Sequence, residues 1–105
     1  MAIAIMVVHR VKPGMRDEAR RVWEASMPDG ISANPGHLFY TYMFDRKDPN
    51  VIRAFQIYTD QEAAQAYLAS ENYRQYAAAV GPFLAGPPAI SMSEVMWSKG
   101  LADAG

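Results

Sequence analysis

Cysteine is absent from the 105 residues. That removes disulfides, thiolate nucleophiles and Cys-ligated metals together. Histidine is scarce, with His9 and His37 the two present. They form no HxH or HExxH spacing, and a protein-held zinc needs about three or four ligands, so no metal and no other cofactor is expected. An excess of either charge is missing as well, the net charge being −1. A chain so balanced has no electrostatic footprint for nucleic acid or an anionic membrane surface. Arg16, Arg20 and Arg21 do cluster, but among Asp17, Glu18 and Glu24, the pattern of a solvated helix face. No run approaches the ~18 apolar residues of a membrane helix. The apolar start MAIAIMVVHRV lacks a basic leader and a small-residue cleavage site, and reads as a strand and not a signal peptide. A cytoplasmic location is the expectation. There is no GxGxxG, phosphate loop or GxSxG elbow, which disfavours a nucleotide-dependent enzyme.

Half of the residues are hydrophobic, enough for one core and too few for two. One domain over residues 1–100 is expected, with Leu101–Gly105 a patternless, frayed tail. Ala2–Val11 is a near-continuous apolar run, as in a strand buried on both faces. Lys12-Pro13-Gly14 breaks it. Met15, Ala19, Val22, Trp23 and Ser26 recur at helical spacing, and Met27-Pro28-Asp29-Gly30 should end that helix. His37–Phe44 and Val51–Tyr58 read as strands around a polar hairpin loop, DRKDPN. Thr59 or Asp60 caps a helix from Gln61 to about Ala69, and Ser70 caps a second segment that carries Tyr73, Tyr76, Ala77 and Val80 on one stripe. Gly81-Pro82 stops it, and Ala89–Ser98 is the last strand.

The order β-α-β-β-α-β gives an α+β, ferredoxin-like fold: a four-stranded antiparallel sheet with the helices on one face. The second face is then bare. IAIMVV, HLFYTYMF and AISMSEVMW carry apolar side chains on both faces, and a bare apolar sheet face marks an interface. A homodimer with the two open faces together is expected. Arg53 and Gln56 interrupt the third strand with opposite parity, so one of them enters the dimer interface or the pocket. A structural pair between Arg53 and Glu94 is expected. Trp23 and Trp97 are assigned to the core.

With these elements placed, the chain resembles the antibiotic biosynthesis monooxygenase family of dimeric α+β barrels over about Ile3 to Trp97. The likeness rests on VKPG (Val11–Gly14), on Pro35-Gly36 before an aromatic strand with Tyr40, on a charged hairpin with Asp48-Pro49, and on TDQEAAQAYLASENYRQY (Thr59–Tyr76). The resemblance implies several activities: oxygenation of polycyclic phenols or quinols without metal or flavin, haem opening, or processing of small signalling molecules. Where relatives carry a Trp at the end of strand three and a His on the following helix, this chain has Tyr58 and Tyr67. The haem-degrading branch's Asn, Trp and axial His correspond to Val7, Tyr67 and Ala77, which argues against haem degradation.

Reaction of a phenol with O2 requires a base to form the anion, an apolar pocket and a few hydrogen-bond donors. His9 is the candidate base, since Ile5, Val7 and His9 share one strand face and an imidazole accepts a proton at neutral pH. The plainer reading is a half-exposed strand-end histidine bonded to backbone or carboxylate. His37, just after Pro-Gly, reads as a surface residue. Tyr58, Tyr67 and Tyr73 are the candidate substrate-binding residues, each an apolar wall with a hydroxyl; aromatics at such spacing also simply fill cores. The leading function is a cofactor-independent monooxygenase acting on a small aromatic of phenolic or quinol type. The alternative is a non-catalytic dimer that sequesters such a molecule. A third is isomerase or degradation chemistry without oxygen.

Overall fold

The computed structural model describes residues 1–100; the expected tail at 101–105 lies outside them. β1 (Ile3–Arg10), α1 (Arg16–Ala33), β2 (His37–Phe44), β3 (Val51–Tyr58), α2 (Gln61–Leu68), α3 (Glu71–Val80) and β4 (Ala89–Glu94) follow in chain order. The strands form one sheet in the order β2-β3-β1-β4, and every neighbouring pair is antiparallel. Strands joined through helices run parallel but are never adjacent, as the ferredoxin-like arrangement requires. Among the described residues no helix is long and apolar enough to cross a membrane.

Strand parity explains where the core sits. Opposed residues of an antiparallel ladder share a face. Ile5 faces Gln56, Val7 faces Ala54 and His9 faces Ile52, and all six are buried. The helices cover this inner face, with Ala19 and Met27 of α1, Ala64 and Tyr67 of α2, and Tyr76 and Val80 of α3 buried against it. Met6, Val8 and Phe55 point the other way and are only partly buried, and Phe39 is exposed. The expectation that β1 is buried on both faces therefore holds for one face of the single chain. Ala77, placed on the inward stripe of α3 by sequence, is exposed beside the buried Tyr76.

The helix caps follow the sequence. The Asp60 side chain accepts from Ala63 N at 2.8 Å, and Ser70 Oγ accepts from Tyr73 N at 3.2 Å. Ser70 also donates to Tyr67 O at 2.6 Å, tying the end of α2 to the start of α3.

Six expectations are corrected. The first helix does not end before Pro28 but runs to Ala33 with Pro28 inside it. Gly30, read as a breaker, is a packing glycine: a Cβ there would overlap the Asn72 carboxamide of α3. Arg53 pairs with Asp45 and not Glu94. Its β1 partner is Val8, whereas Glu94 stands opposite Ile3 at the far end of the strand and on the other face. Arg16 does not belong to a solvated face. Its guanidinium donates to the carbonyls of Asp45 (3.1 Å), Asp48 (2.9 Å) and Val51 (3.2 Å) and lies over the Phe44 ring, fastening the hairpin to α1. The last strand stops at Glu94, opposite Ile3 at the start of β1, and Val95 N donates to Ala2 O. Trp97, beyond that point, is 80% exposed and not core.

Each cap satisfies a helix N-terminal N–H, and losing one costs about 1 kcal/mol. Asp60→Ala and Ser70→Ala are each expected to lower unfolding stability by about that amount, with Ser70→Ala the more costly because it holds two bonds. Urea denaturation measures this; equal stability of both variants to the parent would contradict it.

Candidate functional site

Two polar residues are buried on the inner face of the sheet, His9 of β1 and Gln56 of β3. Both line a cavity between the sheet and the helices, together with Val7, Ala54, Met27, Tyr40, Tyr42, Tyr67, Tyr73 and Tyr76. Its volume is about 10 Å³, the space of about one water. Of the residues singled out by sequence, His9, Tyr67 and Tyr73 meet at this cavity. Tyr58 does not line it. It is 0% exposed and packs behind Gln56, donating to Gln56 Oε1 at 2.5 Å.

His9 is neither half exposed nor hydrogen-bonded to a carboxylate. It is 7% exposed, and its Nδ1 is buried without a partner among the described residues. The Tyr42 hydroxyl is the other buried polar atom in that condition. Such orphans are costly in a folded core, and here two of them line the same small cavity. Tyr76 stands edge-on to the His9 ring at 6.5 Å. Loss of solvation on burial lowers the His9 pKa below 6.5, which favours the neutral imidazole at pH 7.

His37 corrects the surface assignment. A bulge between His37 and Phe39 shifts the register of β2 against β3. His37 and Tyr40 thereby share the inner face despite their spacing. The His37 ring lies 4.3 Å from Tyr58, 4.6 Å from Tyr67 and 5.8 Å from Tyr40. Asn34 accepts from Gly36 N through Oδ1, which leaves its Nδ2 to donate to His37 Nδ1 at 2.9 Å. The His37 proton then sits on Nε2 and is donated to Gln56 Oε1 at 3.1 Å. Burial lowers the His37 pKa, and the Gln56 bond offsets part of that. The network suits a neutral ring, because a second proton would face the Asn34 donor.

Of the pair Arg53 and Gln56 that interrupts the third strand, Gln56 is the one that turns inward to the cavity. Its Oε1 takes two donors, from Tyr58 and His37. The amide is thus fixed with Oε1 committed and Nε2 left as the donor for the cavity it lines. The available signal was a buried-parity glutamine in an apolar strand.

The tyrosines are donors and walls, not bases. Burial pushes the Tyr40 phenol up to about 12 and raises Tyr42, Tyr58, Tyr67, Tyr73 and Tyr76 as well. Trp23 stacks on Tyr42 at 4.3 Å and donates to the Tyr40 hydroxyl at 3.2 Å, closing the α1 side. Among the described residues no group of three or more His, Cys, Asp or Glu could hold a metal ion.

The family model for antibiotic biosynthesis monooxygenase matches residues 1–79. A family protein from Chloroflexus aurantiacus J-10-fl is similar in structure at 22% identity and a TM-score of 0.81, over 97% of this chain and 100% of that one. One from Caulobacter crescentus CB15 is 21% identical with a TM-score of 0.85, over 91% of each chain. SnoaB, a cofactor-independent oxygenase from Streptomyces nogalater (mutant N63A), is 16% identical with a TM-score of 0.78, over 94% of this chain and 97% of that one. At these identities the likeness is one of fold. No significant match is found among curated proteins.

Both histidine pKa values are lowered in the folded chain. Between the folded value and 6.5 the unfolded chain binds more protons, so stability is full above about pH 6.5 and falls as the pH drops below it. Urea unfolding at pH 7.5 and pH 5 should show this loss, and His9→Phe should make it smaller. A stability independent of pH over that range would contradict the burial of neutral imidazoles.

Proposed function

Because the chain belongs to the antibiotic biosynthesis monooxygenase family, we propose that it oxidises a phenolic or quinol-type aromatic with O2, using no metal or flavin. The observation that carries this reading is the buried, unpartnered Nδ1 of a neutral His9 in a cavity walled by tyrosines.

The steps follow from these groups. His9 Nδ1 takes the acidic proton of the bound aromatic. The anion, spread over the ring system, accepts hydrogen bonds from Gln56 Nε2 and a neighbouring phenol, donors set in place before the charge develops. The dry surroundings strengthen those bonds. The anion gives one electron to O2, and the radical pair joins as a C–O bond to a peroxide at the ring carbon. The imidazolium returns its proton to the outer oxygen. Loss of water, which removes that oxygen and the remaining hydrogen on the carbon, leaves a carbonyl. One oxygen atom enters the product and the other leaves as water. Tyr67 and Tyr73 hold the ring, and Tyr58 acts from behind by fixing Gln56.

The working unit in this reading is a homodimer. Phe39 is 41% exposed and lies 6.2 Å from Phe55 on the sheet face that no helix covers. A second copy seated there removes an apolar surface from water. The expected location is the cytoplasm. A second reading, a dimer that binds an aromatic without turnover, draws on the tight packing of the tyrosines around so small a cavity.

Two measurements test these claims. Oxygen uptake with quinols and polycyclic phenols should appear with the parent and fall by ~100-fold or more in His9→Ala. Uptake unchanged by that substitution removes His9 as the base, and ligand binding with no uptake selects the second reading. Sedimentation should give twice the mass of one chain, and Phe55→Lys should give monomers. A monomeric parent would refute the dimer.

A further inference from the structure

We propose that the cleft between the C-terminal half of α1 and the α2–α3 junction is the entrance to the His9 cavity, closed by Tyr67 latched to Asn72, and that it admits neutral planar aromatics. The inference rests on that cavity being the substrate site.

The interior space of about 10 Å³ is too small for any aromatic substrate. A surface cleft of about 470 Å³ lies beside it, within the ~300–1,000 Å³ usual for small-molecule sites. Tyr67 lines both, so its ring is the wall between them. The latch is specific. Tyr67 donates its hydroxyl to Asn72 Oδ1 at 2.6 Å, and Asn72 Nδ2 donates to the Ser26 carbonyl at 3.2 Å. The carboxamide reaches that position only because residue 30 is glycine; a Cβ would occupy its place.

The helix hydrogen bonding is weakened on one side of the latch and broken on the other. Pro28 lies inside α1 and supplies no backbone N–H. α2 ends at Leu68 and α3 starts at Glu71. Release of the Tyr67 hydroxyl from Asn72 and from Met27 Sδ, which lies 3.2 Å from it, and a turn of the Tyr67 ring then join cleft to cavity, leaving the sheet in place.

The cleft also selects by chemistry. Pro35, Ala63 and Ala66 give it apolar walls, and no charged side chain lines it. A carboxylate or phosphate would enter unpaired, at a desolvation cost. A phenol enters neutral and loses its proton only inside, at His9.

The test reads access to His9 and needs no substrate. Diethyl pyrocarbonate, a small neutral reagent, acylates imidazole nitrogen, and peptide mass spectrometry reports the rate at His9. Asn72→Ala and Gly30→Ala, which releases the carboxamide by displacing it, should each speed His9 acylation by about 5-fold or more. Ala66→Trp, which fills the cleft from its exposed rim, should slow it by a similar factor. Amide exchange in β1 and β3 monitors the sheet. Unchanged His9 rates in all three variants would overturn the entrance. If sheet protection falls along with the latch, Ala66→Trp alone decides, slowing in support and no effect against. Oxygen uptake is a separate readout, so the oxygenase reading and the entrance can fail independently.

Discussion

Helices cover one face of the sheet, and strand parity decides what lies beneath them. β1 and β3 each send alternate residues inward, and those residues are apolar except for His9 and Gln56. Both are buried, so each polar atom must find a partner or bear the cost of having none. Gln56 resolves this through Tyr58 and His37. His9 does not, and its Nδ1 stays open to the cavity. The chemistry assigned to the chain depends on that difference: a committed amide that donates, and an uncommitted imidazole that accepts.

The second layer holds the first in place. Asn34 sets the tautomer of His37, His37 and Tyr58 set the orientation of Gln56, and Gln56 lines the cavity with the tyrosines. The bulge in β2 makes this possible, since regular alternation would have put Leu38 inward in place of His37. At the other end of the hairpin, Arg16 binds three carbonyls and Arg53 pairs with Asp45. These bonds keep β2 and β3 in the register that aligns Tyr40 with Gln56.

Much of this was legible in the sequence because it is local. The strand order, the Asp60 and Ser70 caps and the shared face of Ile5, Val7 and His9 depend on near neighbours and on period two or 3.6. What was not legible depends on partners far along the chain. Pro28-Asp29-Gly30 has the composition of a helix stop, yet packing against α3 carries α1 through it and Gly30 makes room for Asn72. His37 looked like a surface residue because nothing in PGHLFY announces a bulge. Trp97 looked like core because a large aromatic usually is. In the single chain it is exposed, because it lies beyond the end of β4 at Glu94.

The central claim is that the His9 cavity, and not the open sheet face, receives the aromatic ligand. Intermolecular nuclear Overhauser effects from a bound naphthol test it most directly. The account requires contacts from the ligand ring protons to the His9 and Tyr76 rings. Contacts confined to Phe39 and Phe55, on the opposite side of the sheet, would contradict it.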